Sequence, residues 1–163
     1  MNACPSLDAV RRARTLLASL TPLKSDCGRL CAGACCRGDE ATGMLLFPGE
    51  EALYAACAFG RVVPAHYRLG GRQALLFVCE GSCPRDERPL ACRLFPLFLA
   101  FDRGNAPRVA MDARAGAVCP LCGYGLQALD PAFVQAAEQA YDALLEDEAC
   151  AAFLRELDEA FRL

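Results

Sequence analysis

Residues 27–39 read Cys-Gly-Arg-Leu-Cys-Ala-Gly-Ala-Cys-Cys-Arg-Gly-Asp, with four cysteines and three glycines and no hydrophobic period of either 3.6 or 2 residues. Such a stretch predicts a loop with room for one helical turn. It offers no apolar face to a core, so its order must come from another source, and sulfur is the chemistry it carries. Two further cysteine clusters follow it: Cys79, Cys83 and Cys92, then Cys119 and Cys122. Each lies on Gly- or Pro-rich sequence (CAGACC, CEGSCP, CPLCG), and tight turns with close backbone approach are what closely spaced thiolates need in order to face one ion.

Outward from these clusters the chain becomes regular. Before them, the sequence predicts a helix capped by Ser6 and running to about Ser19, with Val10, Ala13, Leu16, Leu17 and Leu20 on its apolar side. Met44 to Phe47, closed by Pro48-Gly49, predicts a strand and turn. Glu50 and Glu51 then open a predicted helix to about Phe59, where acidic residues suit the N-terminal dipole. Residues 73–79, 97–101 and 108–111 read as strands of one small antiparallel sheet. After Cys122, Asp130-Pro131 caps a helix with Phe133, Ala137, Tyr141, Leu144 and Leu145 on one side, and Glu146-Asp147-Glu148 allows a break. A last helix aligns Cys150, Phe153, Leu154, Leu157 and Phe161. The expected fold is α+β: a small irregular metal-binding centre with a short antiparallel sheet, flanked by N- and C-terminal helices. It forms a single domain over 1–163, with a cysteine-cluster region at 27–122 and a helical segment at 130–162. That segment is scaffold or a surface for a protein partner.

Composition narrows the class. The chain has 163 residues, 55% of them hydrophobic and 23% charged, which excludes a disordered chain. A net charge of −3 argues against a nucleic-acid footprint. No run of about 18 uncharged apolar residues is present, so no membrane span is expected. The stretch MNACPSLDAVRRAR holds no apolar run ahead of its first charges, so a cytoplasmic location is expected. In that reducing setting twelve cysteines point to metal or redox chemistry before disulfides.

The cysteines divide by context. Cys57, four residues after Leu53, and Cys150, on an apolar helix face, are expected to pack as small hydrophobes. Cys4 receives no role. The candidate metal ligands are Cys27, Cys31, Cys35, Cys36, Cys79, Cys83, Cys92, Cys119 and Cys122. Zinc takes cysteine sulfur at about 2.3 Å in a tetrahedron, which short ligand spacings suit. The Cys35-Cys36 doublet leaves one ion or two open, because neighbouring side chains diverge in a strand or helix. Arg29, Arg37, Arg88 and Arg93 stand beside candidate ligands, where they could donate hydrogen bonds to sulfur.

Residues Cys83-Pro-Arg-Asp-Glu-Arg-Pro-Leu-Ala-Cys-Arg-Leu-Phe-Pro96 resemble the signature of the YkgJ-type cysteine-cluster proteins, a zinc- or iron-chelating domain. Gly33-Ala34-Cys35-Cys36 resembles that family's Cys-rich start, Met44–Phe59 its strand and helix, Cys79 and Cys83 its spaced pair, and Cys119-Pro120 its late cysteine. The resemblance covers about residues 27–122. The opening spacing C-x3-C-x3-CC is wider than the family's, and Cys122 is additional. It implies chelation through these cysteines, and zinc is the expected ion. Flagellin lysine methylases share this cysteine region, where it is thought to hold an iron–sulfur cluster, so a [4Fe-4S] cluster is the alternative.

Three functions follow: a metal-binding protein with a mainly structural zinc site, an iron–sulfur protein or enzyme, and a metal-delivery protein. C-x3-C-x3-C misses the radical-enzyme spacing C-x3-C-x2-C by one residue, and no G-x-G-x-x-G loop appears. The sole histidine, His66, is expected to cap a turn or pack beside Tyr67. The carboxylates of the terminal helices read as a solvated face. Asp102 and Asp112 read as turn formers at strand ends.

Overall fold

Amphipathic helices from the two ends of the chain close over two small antiparallel sheets, an α+β arrangement, in a computed structural model that describes residues 7–162. Helix α1 (Leu7–Leu16) buries Ala9, Val10 and Ala13, and packs on α4 (Pro131–Leu145). It ends earlier than the sequence predicts, and Leu16 lies 37% exposed while Leu17 is buried. The predicted cap, Ser6, lies outside the described residues.

The C-terminal helices form as the sequence predicts. The Asp130 carboxylate accepts from the Ala132 N–H at 3.1 Å, with Pro131 in the first turn. The break falls at Glu146 and Asp147, and Asp147 restarts the chain by accepting from the Cys150 N–H at 2.9 Å. Helix α5 (Glu148–Phe161) then buries Cys150, Phe153, Leu154 and Leu157. With Phe133, Ala137, Tyr141 and Leu144 of α4, these side chains join one core that also draws on α1 and both sheets. Each fully buried Leu or Phe is worth roughly 1.5–3 kcal/mol, so these two faces fix the frame. Not every terminal carboxylate is solvated. Asp158 is buried, where it accepts from the Phe101 N–H and from Arg162. Glu156 accepts from the Gly70 N–H at 2.6 Å.

Two sheets replace the single sheet expected. The first has the order β1-β3-β2: Met44–Leu45 (β1), Gly60–Leu69 (β2) and Arg72–Cys79 (β3), all antiparallel. The second pairs β4 (Leu97–Phe101) with β5 (Pro107–Met111), Leu97 opposite Met111. Its connection is closed by Asp102, whose carboxylate accepts from the Gly104 and Ala106 N–H groups. Strand β2 is the element the sequence reading omits. It holds Pro64, and its pairing is interrupted between Pro64 and Arg68, so no clean two-residue alternation survives. The Gly70-Gly71 link to β3, with φ of 58° and 71°, is a two-residue turn that needs positive φ at both positions. His66 therefore sits exposed on a strand rather than capping a turn.

The helix expected over 50–59 is shorter, a 3₁₀ turn over Glu50–Tyr54. The aromatic packing explains this. The Tyr54 ring packs at a tilt against Phe77, 4.8 Å away, and meets the Phe59 ring edge-on at 6.4 Å, so the chain must double back between them to enter β2. Cys57 packs, partly buried, against this second small cluster of Leu46, Tyr54 and Phe77. No helix among the described residues is long and apolar enough to cross a membrane.

Gly60 is where the close approach is tightest: a Cβ there would meet the Phe77 ring, and the Val78 carbonyl oxygen at 2.6 Å. Gly60→Ala should therefore cost about 1–3 kcal/mol through forced strand displacement. Urea denaturation measures this, and an unchanged midpoint would show that the sheet yields without cost.

Candidate metal centre

One short helix ties part of the cysteine-bearing sequence to the core. Helix α3 (Leu90–Leu94) carries Cys92 and begins after Pro89, with no side chain of its own capping it. The exposed first-turn N–H groups of a helix need partners, and the Leu90 N–H finds Glu50 Oε1 at 2.7 Å, forty positions away. Glu50 is fully buried. Its other oxygen accepts from the Phe47 N–H at 3.1 Å, and Arg14 of α1 donates to Oε1 at 3.2 Å. Burial pushes the Glu50 carboxyl up, while the two N–H groups and Arg14 pull it down. All three partners are donors, the set an ionised carboxylate needs.

The same knot holds residues 85–93. The Tyr54 hydroxyl accepts from Arg14 at 2.6 Å and donates to the Glu87 carbonyl at 2.8 Å. The Arg93 guanidinium donates to the Arg88 carbonyl at 2.9 Å and the Asp86 carbonyl at 2.7 Å. Arg93 is thus committed to backbone oxygens, where the sequence placed it as a donor to sulfur. Arg37 donates to the Ala32 carbonyl at 2.7 Å, and Arg29 is exposed.

Around α3 the thiols collect in two adjoining groups. Cys35, Cys36, Cys79, Cys83 and Cys92 line one cavity of about 30 Å³, together with Arg88. Cys27, Cys31, Cys35 and Cys119 line a second, of about 20 Å³. Cys35 borders both. Cys122 lies beside Cys119 and donates its thiol to the Asp112 carbonyl at 3.8 Å. The predicted loop over 27–39 folds into a four-residue helix, α2 (Gly28–Cys31), and a 3₁₀ turn over Ala34–Cys36. Ala32 and Gly33 link them, both in the left-handed region at φ of 50° and 68°. Such geometry costs an alanine about 1–2 kcal/mol, and here it swings Cys35 and Cys36 back towards α3. Cys79 ends β3 opposite Gly60, and Gly81, at a φ of 100°, turns the chain towards Cys83.

The thiols are electrostatically distinct. The Cys36 thiol is lowered to about 6, because Cys35 donates a hydrogen bond to its sulfur and Arg88 stands near, against the cost of burial. The same bond holds the proton on Cys35 and raises it. Burial, with Cys36 adjacent, raises Cys92, and burial raises Cys27 and Cys79. Cys122 is pushed up to about 11 by burial and by Cys119. Arg88 is the one expected arginine that does meet sulfur: its guanidinium bonds Cys83 and faces Cys36 and Cys92. Its buried Nε has no hydrogen-bond partner among the described residues.

The chemistry of this donor set suits a soft or borderline ion, and a half-buried guanidinium with an unpartnered N–H suits the net negative charge of a thiolate centre. Among the described residues, no group of three or more Cys, His, Asp or Glu is already placed to hold an ion. Binding would therefore draw the thiols inward from the positions in which they ring the cavities. The residues that sequence reasoning missed are Glu50, Arg14 and Tyr54. Glu50 had been read as a helix-opening acid, and nothing local announces partners 36 and 40 positions away.

Two outcomes test this description. Glu50→Ala, which leaves the Leu90 and Phe47 N–H groups unpartnered and takes the carboxylate from Arg14, should cost about 3–5 kcal/mol in urea denaturation. A loss below about 1 kcal/mol would remove Glu50 from the centre of the knot. In metal-free protein, alkylation of Cys36 should lead that of the other thiols at neutral pH. Its rate should fall as pH drops through about 6, where the thiolate takes up a proton. A midpoint above 8 would show that neither Cys35 nor Arg88 stabilises the anion. No family model, curated protein or solved structure matches the chain.

Proposed function

We propose that this protein binds zinc through its clustered cysteines and that the ion mainly serves the fold. The observation that carries the reading is the gathering of Cys35, Cys36, Cys79, Cys83 and Cys92 around one cavity with Arg88 among them. These residues come from three separate stretches of chain. The adjoining group of Cys27, Cys31, Cys35 and Cys119 extends the donor set, with Cys122 beside it. The resemblance of residues 27–122 to the cysteine-cluster chelating domain supports the same reading. Thiolate ligands would hold the ion in a closed tetrahedron, and Arg88 would balance part of its charge.

The energetics favour a structural role. Cysteine-rich zinc sites bind with about 10–16 kcal/mol, comparable to the roughly 5–15 kcal/mol that holds a whole domain together. The segment 27–43 places no side chain in the buried core. An ion bridging it to β3 and α3 would supply order that apolar packing does not.

Anaerobic purification followed by metal analysis and an absorption spectrum tests the proposal. Colourless protein with stoichiometric zinc supports it. Brown protein with broad visible absorption and matching iron and sulfide replaces zinc with an iron–sulfur cluster. Folded protein with neither metal, all thiols reacting freely, overturns metal binding. Cys92→Ser should lose metal and stability, while Cys150→Ser, whose side chain is fully buried in the main core, should keep its metal. Unaltered metal in the Cys92 variant would falsify that assignment.

A further inference from the structure

We infer that this protein also binds an amphipathic carboxylate, with its aliphatic body in a third, larger cavity and its anionic head at Arg37. The cavity, of about 660 Å³, runs from the 34–47 segment past β4 to α5. That volume falls within the roughly 300–1,000 Å³ typical of small-molecule sites. Its wall is apolar and largely belongs to the main core: Phe47, Leu97, Phe153 and Leu157 all line it and are nearly inaccessible from outside. A mostly apolar wall of this kind suits a flexible hydrocarbon chain.

Charge decides the head group. The lining includes one carboxylate, Asp112, and two guanidiniums, Arg37 and Arg114. Asp112 is already matched, because Arg114 donates to both of its oxygens at 2.9 and 2.6 Å. The Arg114 guanidinium is further held over the Phe161 ring at 4.2 Å. This pair contributes no net charge. Arg37 is exposed, forms no ion pair among the described residues, and uses only Nη2, on the Ala32 carbonyl. Its remaining N–H groups present a fork that fits a carboxylate. Cys35, which borders both thiol cavities, lines this one as well, so the ligand would lie beside the cysteine centre. The inference stands without the metal reading, since no step of it uses an ion.

Calorimetric titration of the full chain with dodecanoate, below its micelle concentration, tests the assignment. One dodecanoate should bind per chain, and dodecyltrimethylammonium, with the opposite charge, should bind at least about tenfold more weakly. Arg37→Gln should weaken dodecanoate about tenfold, the worth of one charge-assisted hydrogen bond, and Arg37→Lys, which keeps the charge without the fork, should restore only part of the loss. Ala117→Trp, at an exposed lining position, should weaken binding by narrowing the cavity. Circular dichroism and metal content read in parallel show whether a variant has kept its fold and its centre. If Ala117→Trp does not fold, the Arg37 pair still decides the question. No binding, several equivalents per chain, equal affinity for the cationic surfactant, or an unaffected Arg37→Gln variant would each overturn the inference.

Discussion

A single buried carboxylate joins three parts of this molecule. Glu50 receives a guanidinium from α1, the backbone N–H that follows β1, and the first N–H of α3. A buried charge is tolerable only when its lone pairs are filled, and here each partner comes from a different stretch of chain. Tyr54 and Arg93 extend the knot to the carbonyls of residues 86–88. The peptide that carries Arg88 and Cys92 is thereby fixed against the core before any sulfur chemistry is considered. If Glu50 were lost, α3 would lose its cap and the Cys92 thiol its fixed position.

The thiols occupy the seam between this stiff scaffold and an irregular excursion. On one side stand Cys79 at the end of a strand and Cys92 on a capped helix. On the other lie Cys27, Cys31, Cys35 and Cys36, carried by two short turns joined through left-handed residues. Two of the donors thus stand on regular elements and four on irregular turns, an arrangement that an ion would bridge. Arg88 reinforces it from within, because its charge faces three sulfurs and its Nε awaits a partner. Cys35 has a place in each thiol group and in the wall of the apolar cavity.

How much was legible in the sequence depended on whether the decisive partners were near or far along the chain. The caps at Asp130 and Asp147 act within three residues, and the apolar faces of α4 and α5 repeat at helical spacing, so both helices could be read directly. The strand over 73–79 and the pair at 97–101 and 108–111 were readable because short apolar runs met turn signals. Strand β2 escaped because Pro64 and the irregular pairing beyond it erase the alternation, although Gly70-Gly71 was a hairpin signal in plain view. Asp158 passed for a solvated acid, yet it lies under Arg162 against the Phe101 backbone. The grouping of the nine cysteines was half legible. Clusters and spacing marked them as a set, while the division of eight of them between two cavities, with Cys122 beside the second, depended on turns that no periodicity encodes.

By itself the sequence determined the helical ends and the separation of the clustered cysteines from Cys57 and Cys150, which lie in apolar surroundings, because those properties reside in local pattern and side-chain type. The tertiary structure decided which thiols are neighbours, which arginine meets sulfur and which acid is buried. Those outcomes depend on groups 36 to 40 positions apart being brought within hydrogen-bond distance. Long-range closure of that kind is set by how the core packs, and a linear reading has no measure of it.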